Sequence, residues 1–157
     1  MQNYNKSILI PATPENIFAY IDDHARFSAH MSKSSWMMGG ESMDVTADEG
    51  RGQEVGSHIR LKGKIFGISL YLDEVVTQHD PPHLKTWETV GIPKLLVIGN
   101  YRMKILIEPK ETGALFSVSI DYDLPTTNIW LGKLFGKIYA KWCVEQMITG
   151  TRKYFNA

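Results

Sequence analysis

Three polar side chains stand where apolar ones are expected, and Glu74, Tyr101 and Tyr122 are the residues with most chemistry to offer. Glu74 interrupts the alternating series Leu70, Leu72, Val76, so it shares one strand face with aliphatic side chains. A carboxylate in such surroundings is costly to desolvate, and its uses are those of a general acid, a base or an anchor for a polar group. The alternative is an edge position, where it reaches water or a basic partner. Tyr101 and Tyr122 point inward by the same alternation. From an apolar wall they could hydrogen-bond a carbonyl or hydroxyl, or pack in a core with their own hydroxyls satisfied. Trp87, Met103, Phe116, Val118 and Ile120 line either a pocket around these groups or a solid core. No catalytic residue is assigned, and Glu74 is the best candidate for one.

Other chemistries find little support. His24, His30, His58, His79 and His83 lack zinc-like spacing, so no metal is expected. Only His30, beside a Met-rich stretch, is read as facing a cavity mouth. Cys143, the sole cysteine, lies among apolar helical positions and reads as a small buried hydrophobe. Gly39-Gly40 precedes a strand without the lysine and helix of a phosphate loop, and no Gly-x-Ser-x-Gly elbow is present. No cofactor is expected. Lys plus Arg number 17 against 17 Asp plus Glu, which gives no general pull toward nucleic acid. No apolar run is long enough to span a bilayer, and no targeting segment or disulfide framework is visible, so a cytoplasmic location is expected.

The positioning elements fit one domain, 1–157, of the α+β class. A strand over Lys6 to Ile10 stops at Pro11. Thr13, Pro14 and Glu15 then supply the cap, first-turn proline and acidic residue of a helix burying Ile17, Phe18 and Ile21. A second helical piece spans about His24 to Met31. The loop from Ser32 to Gly40 carries Trp36, Met37 and Met38, unusually apolar for a loop, and reads as a lid or a contact for something greasy. Trp36 and Met38 are therefore candidate ligand contacts.

A strand over Glu41 to Ala47 precedes three hairpins. Turns near Phe66-Gly67, at Pro81-Pro82 and around Lys110 to Thr112 predict the pairs Ile59 with Glu74, Val76 with Trp87, Ile105 with Phe116, Met103 with Val118 and Tyr101 with Ile120. The opposite face is polar, with Arg60 against Asp73 and Lys62 against Tyr71, as in a sheet with one wet side.

The closing helix, Asn128 to Phe155, carries an apolar stripe of Leu131, Leu134, Phe135, Ile138, Tyr139, Trp142, Cys143 and Met147. That stripe is expected to cover the sheet. Gly132, Gly136 and Ala140 form a bordering row that requires either close packing or free volume, and Gly136 is a candidate ligand contact on the second reading. Lys133, Lys137 and Lys141 form a row opposite the stripe, a solvated face or a contact for an anionic membrane.

The opening Ile10-Pro11-Ala12-Thr13-Pro14-Glu15-Asn16-Ile17-Phe18, the proline-ended Val76-Thr77-Gln78-His79-Asp80-Pro81-Pro82 and the final amphipathic helix resemble the START-like superfamily, which includes polyketide cyclases and lipid-transfer domains. The resemblance covers nearly the whole chain. It implies a helix-grip fold, in which a curved antiparallel sheet, in the order strand, helix, helix, six strands, helix, wraps around the long C-terminal helix. It also implies binding, or transport, of a small hydrophobic or amphipathic molecule between sheet and helix. An enzyme of the polyketide cyclase or dehydratase kind, with Glu74, Tyr101 or Tyr122 in the chemistry, is the second expectation. A lipid-transfer module docking on membranes is the third. Neither ligand identity nor oligomeric state follows from the sequence.

Overall fold

The computed structural model describes residues 1–27, 29, 43–65 and 67–156. Strand β1, Gln2–Ile10, ends at Pro11, and helix α1, Pro14–Asp22, starts on a cap in which the Thr13 hydroxyl accepts the Asn16 amide at 3.2 Å. Pro14 occupies the first turn, where its missing N–H costs nothing, and Ile17, Phe18, Tyr20 and Ile21 are buried. A short helix α2, His24–Phe27, follows.

Six further strands complete the sheet: β2, Met43–Ala47; β3, His58–Ile65; β4, Ile68–Asp80; β5, Leu84–Lys94; β6, Tyr101–Lys110; and β7, Gly113–Tyr122. All neighbours are antiparallel, in the order β1-β7-β6-β5-β4-β3-β2. The curved seven-stranded sheet with its long closing helix is a helix-grip fold.

Pairing follows the predicted registers in two hairpins. Ile59 faces Glu74 and Leu61 faces Leu72, while Val76 faces Trp87 and Glu74 faces Thr89. In the β6–β7 hairpin the prediction is off by two residues. Tyr101 faces Tyr122, Met103 faces Ile120, Ile105 faces Val118 and Ile107 faces Phe116, because the turn closes on Glu111 and Thr112 with Lys110 opposite Gly113. A shift of two keeps every side chain on its own face, so the buried set is unchanged.

The closing helix, α3, is built from Ile129–Leu131, a wider π turn over Gly132–Gly136, and Lys137–Asn156. Its first half corrects the expected stripe. Leu134, Phe135 and Ile138 are exposed by 61%, 48% and 53%, while Gly132, Gly136 and Ala140 face inward. A Cβ on Gly136 would lie 2.8 Å from the Val97 carbonyl oxygen, and one on Gly132 would collide with the Pro125 ring. The helix backbone therefore presses against the β5–β6 connection and Pro125, an approach that only the small row permits. Further along, Cys143, Val144, Met147 and Ile148 bury normally. Glu145 ties this half to β1 by accepting from the Tyr4 hydroxyl at 2.8 Å and the Lys6 ammonium at 2.7 Å.

Candidate functional site

Glu74 is 4% exposed near the middle of β4, with its side chain on the sheet face that α3 covers. Alternation along β4 sends it inward with Leu70, Leu72 and Val76. Tyr101 reaches it from β6, two strands away across β5, and its hydroxyl donates to Glu74 Oε2 at 2.6 Å. Burial, and then the carboxylate beside it, push the Tyr101 phenol well above its ordinary pKa, so it remains a donor throughout the physiological range.

On the other side of the carboxylate, His24 Nε2 stands 3.7 Å from Glu74 Oε1. His24 is 2% exposed, and neither ring nitrogen has a hydrogen-bond partner. Its ring meets Trp87 edge-on, with centroids 5.0 Å apart. Buried polar atoms are nearly always satisfied, so two orphaned nitrogens beside a carboxylate mark an incomplete network.

Glu74 and Tyr101 open onto a cavity of about 40 Å³, by the measure in which one water needs about 10–15 Å³. Leu61, Leu72, Leu95, Ile98, Met103, Ile120 and Met147 supply its apolar walls, and Tyr139 and Cys143 reach it from α3. Burial pushes the Cys143 thiol up to about 12 and the Tyr139 phenol well above its usual value. Both are therefore neutral at physiological pH. The space is small and mostly greasy, with one carboxylate–phenol pair as its strongest polar feature.

Of the residues singled out from sequence, Glu74, Tyr101, Met103 and Ile120 come together at this cavity. Trp87, Phe116, Val118 and Tyr122 are buried but do not line it. Trp87 packs on His24 and Phe27, and Phe116 packs on Phe27. Tyr122 lies against Gly136, in the close approach of α3 rather than at the cavity. Trp36, Met38 and His30 lie outside the described residues. Sequence reasoning passed over His24, although its i, i+3 spacing from Phe27 was a signal for a shared inward face. Tyr139, Cys143 and Met147 were read as stripe residues without a link to Glu74, since that link exists only in three dimensions.

A second polar cluster, centred on the buried Lys85 with half-buried Asp22 and His79, lies where α1 meets β4 and β5. Asp22 accepts from Lys85 Nζ at 2.9 Å and pairs with His79 Nε2 at 2.9 Å, and the Lys85 side chain is 0% exposed. Burial lowers the Lys85 pKa, and Asp22 counteracts that shift. Among the described residues no group of His, Cys, Asp and Glu is placed to hold a metal ion, and no helix is long and apolar enough to cross a membrane.

Among solved structures, this chain resembles TTHA0849 from Thermus thermophilus at 17% identity and a TM-score of 0.67, with 97% of this chain and 95% of that one covered. The di-domain ARO/CYC StfQ of the steffimycin biosynthetic pathway aligns at 7% identity and a TM-score of 0.70, over 98% of this chain and 50% of that one. Norcoclaurine synthase from Thalictrum flavum aligns at 15% identity and a TM-score of 0.64, over 98% and 93%. At these identities the likeness is one of fold. A search of curated protein sequences found no match. The family model described as polyketide cyclase / dehydrase and lipid transport matches residues 1–153, and the chain belongs to that family.

Proposed function

We propose that this protein is a single-domain binder of a small hydrophobic or amphipathic molecule, held between the sheet and α3 with its polar group on Glu74 and Tyr101. The observation that carries this reading is the Tyr101–Glu74 hydrogen bond of 2.6 Å at the wall of an otherwise apolar cavity. A carboxylate there is costly unless something besides one phenol completes its bonding, and a ligand hydroxyl or amine supplies a donor of that kind. The cavity holds only a few waters, so a ligand enlarges it. Met103 and Met147 are the flexible, unbranched walls suited to that adjustment. A cytoplasmic site of action is part of the same proposal.

The orphaned His24 nitrogens favour a second reading, acid–base chemistry on an apolar substrate of the cyclase or dehydratase kind. In it, Glu74 takes or gives the proton, Tyr101 orients the reacting oxygen, and His24 compensates the change of charge. Native mass spectrometry of freshly purified protein tests the binding reading. A retained small molecule, lost in Glu74→Gln and Tyr101→Phe, is the expected result. Apoprotein alone, together with no gain in thermal midpoint from a panel of apolar alcohols and phenols, contradicts it.

A further inference from the structure

The first turns of α3 expose Ile129, Trp130, Leu134, Phe135 and Ile138 by 47%, 60%, 61%, 48% and 53%. Single exposed hydrophobes are ordinary, but five within ten residues of one helix form a patch. The patch exists because Gly132, Gly136 and Ala140 occupy the inward side, which leaves the large side chains outside.

Charge narrows what can cover it. Lys133, Lys137 and Lys141 are exposed and recur every four residues beside the row Trp130, Leu134, Ile138. From Asn128 to Val144 there is no acidic residue, although the whole chain has a formal net charge of zero. A second copy meeting this face about a two-fold axis would bring like charges together. Protein partners are disfavoured as well, because lysine is depleted at protein interfaces. A lipid interface takes both components, since apolar side chains enter the headgroup boundary while lysines extend toward phosphates.

We propose that the first half of α3 docks the protein on an anionic lipid surface, with Trp130, Leu134, Phe135 and Ile138 inserted and Lys133, Lys137 and Lys141 on the headgroups. Gly136 in this segment packs on Val97, next to the cavity-lining Ile98, so docking sets the membrane beside one cavity wall. The docking surface stands independently of what the cavity binds.

Flotation with phosphatidylcholine vesicles, with and without phosphatidylglycerol, tests the proposal. The full chain is expected to float with the anionic vesicles at low salt and to be released as salt rises. Leu134→Asp with Ile138→Asp abolishes flotation without lowering the thermal midpoint, since both side chains are exposed. Replacing all three lysines by glutamine weakens binding roughly a hundredfold, from about fivefold per lysine. No flotation at low salt overturns the proposal, as does flotation indifferent to the lysines. A dimer that Leu134→Asp splits also overturns it, by making a second copy the cover.

Discussion

Two polar clusters reach into the interior, and they differ in how their buried groups are partnered. At the α1 end, Asp22 takes hydrogen bonds from both Lys85 and His79, so a lysine without solvent exposure still has a carboxylate at 2.9 Å. At the cavity, Glu74 holds one phenol at 2.6 Å, and His24 stands 3.7 Å away with both nitrogens orphaned. Buried charge with its counter-ion at hydrogen-bond distance fixes the scaffold, while buried charge without one awaits a partner. The first cluster should therefore be read out in stability and the second in binding.

The largest effect is expected from Asp22→Ala, which leaves the buried Lys85 without its counter-ion. Urea denaturation should show a loss of about 3–5 kcal/mol, the cost of breaking one side of a buried pair. A loss below about 1 kcal/mol would erase the distinction between the clusters. In the cavity, Glu74→Gln is expected to change stability by only about 1 kcal/mol, because an amide can still accept from Tyr101. It should nonetheless remove the bound molecule. Tyr101→Phe deletes the donor and should cost about 1–2 kcal/mol, with binding weakened in parallel.

A separate, pH-dependent effect concerns Cys143, which faces the cavity beside Tyr139. Its pKa of about 12, against 9.0 for a free thiol, makes the thiolate about a thousandfold scarcer at pH 8. Labelling by a disulfide reagent at pH 8 should be much slower than for the unfolded chain, and slower still with ligand present. The same shift carries a sign for stability. Below pH 9 the thiol is protonated in both states and contributes nothing. Between pH 9 and 12 the unfolded chain releases the proton and the folded chain keeps it, so stability falls as pH rises, by about 1.4 kcal/mol per unit at most. Cys143→Ala should flatten that part of the profile.

Much of the fold was legible because strand alternation and turn chemistry act locally. Ile59 opposite Glu74 follows from counting back from its turn, and the Thr13-Pro14 start of α1 is written in its residue types. Val76 meets Trp87 only because a one-residue register shift between Val76 and Gln78 offsets the longer turn that pairs Asp80 with Leu84. The two-residue slip in the last hairpin shows the limit, because face is set by parity whereas register depends on which residues the turn takes up. Glu74 and Tyr101 could be named as inward polar residues, but their 2.6 Å contact crosses β5 from β4 to β6 and is invisible to hairpin counting. The helix face was misjudged for a related reason. Periodicity selects the greasiest stripe, whereas backbone approach at Gly132 and Gly136 decided which side turned inward.

The most direct measurement is a crystal structure of the protein with its co-purified molecule, or with the best binder from an apolar alcohol and phenol panel. The account predicts a ligand between sheet and α3 whose polar atom lies within about 3.2 Å of Glu74 or the Tyr101 hydroxyl, with the cavity enlarged around it. A ligand seated away from Glu74 and Tyr101, with the cavity as small as before, would contradict it.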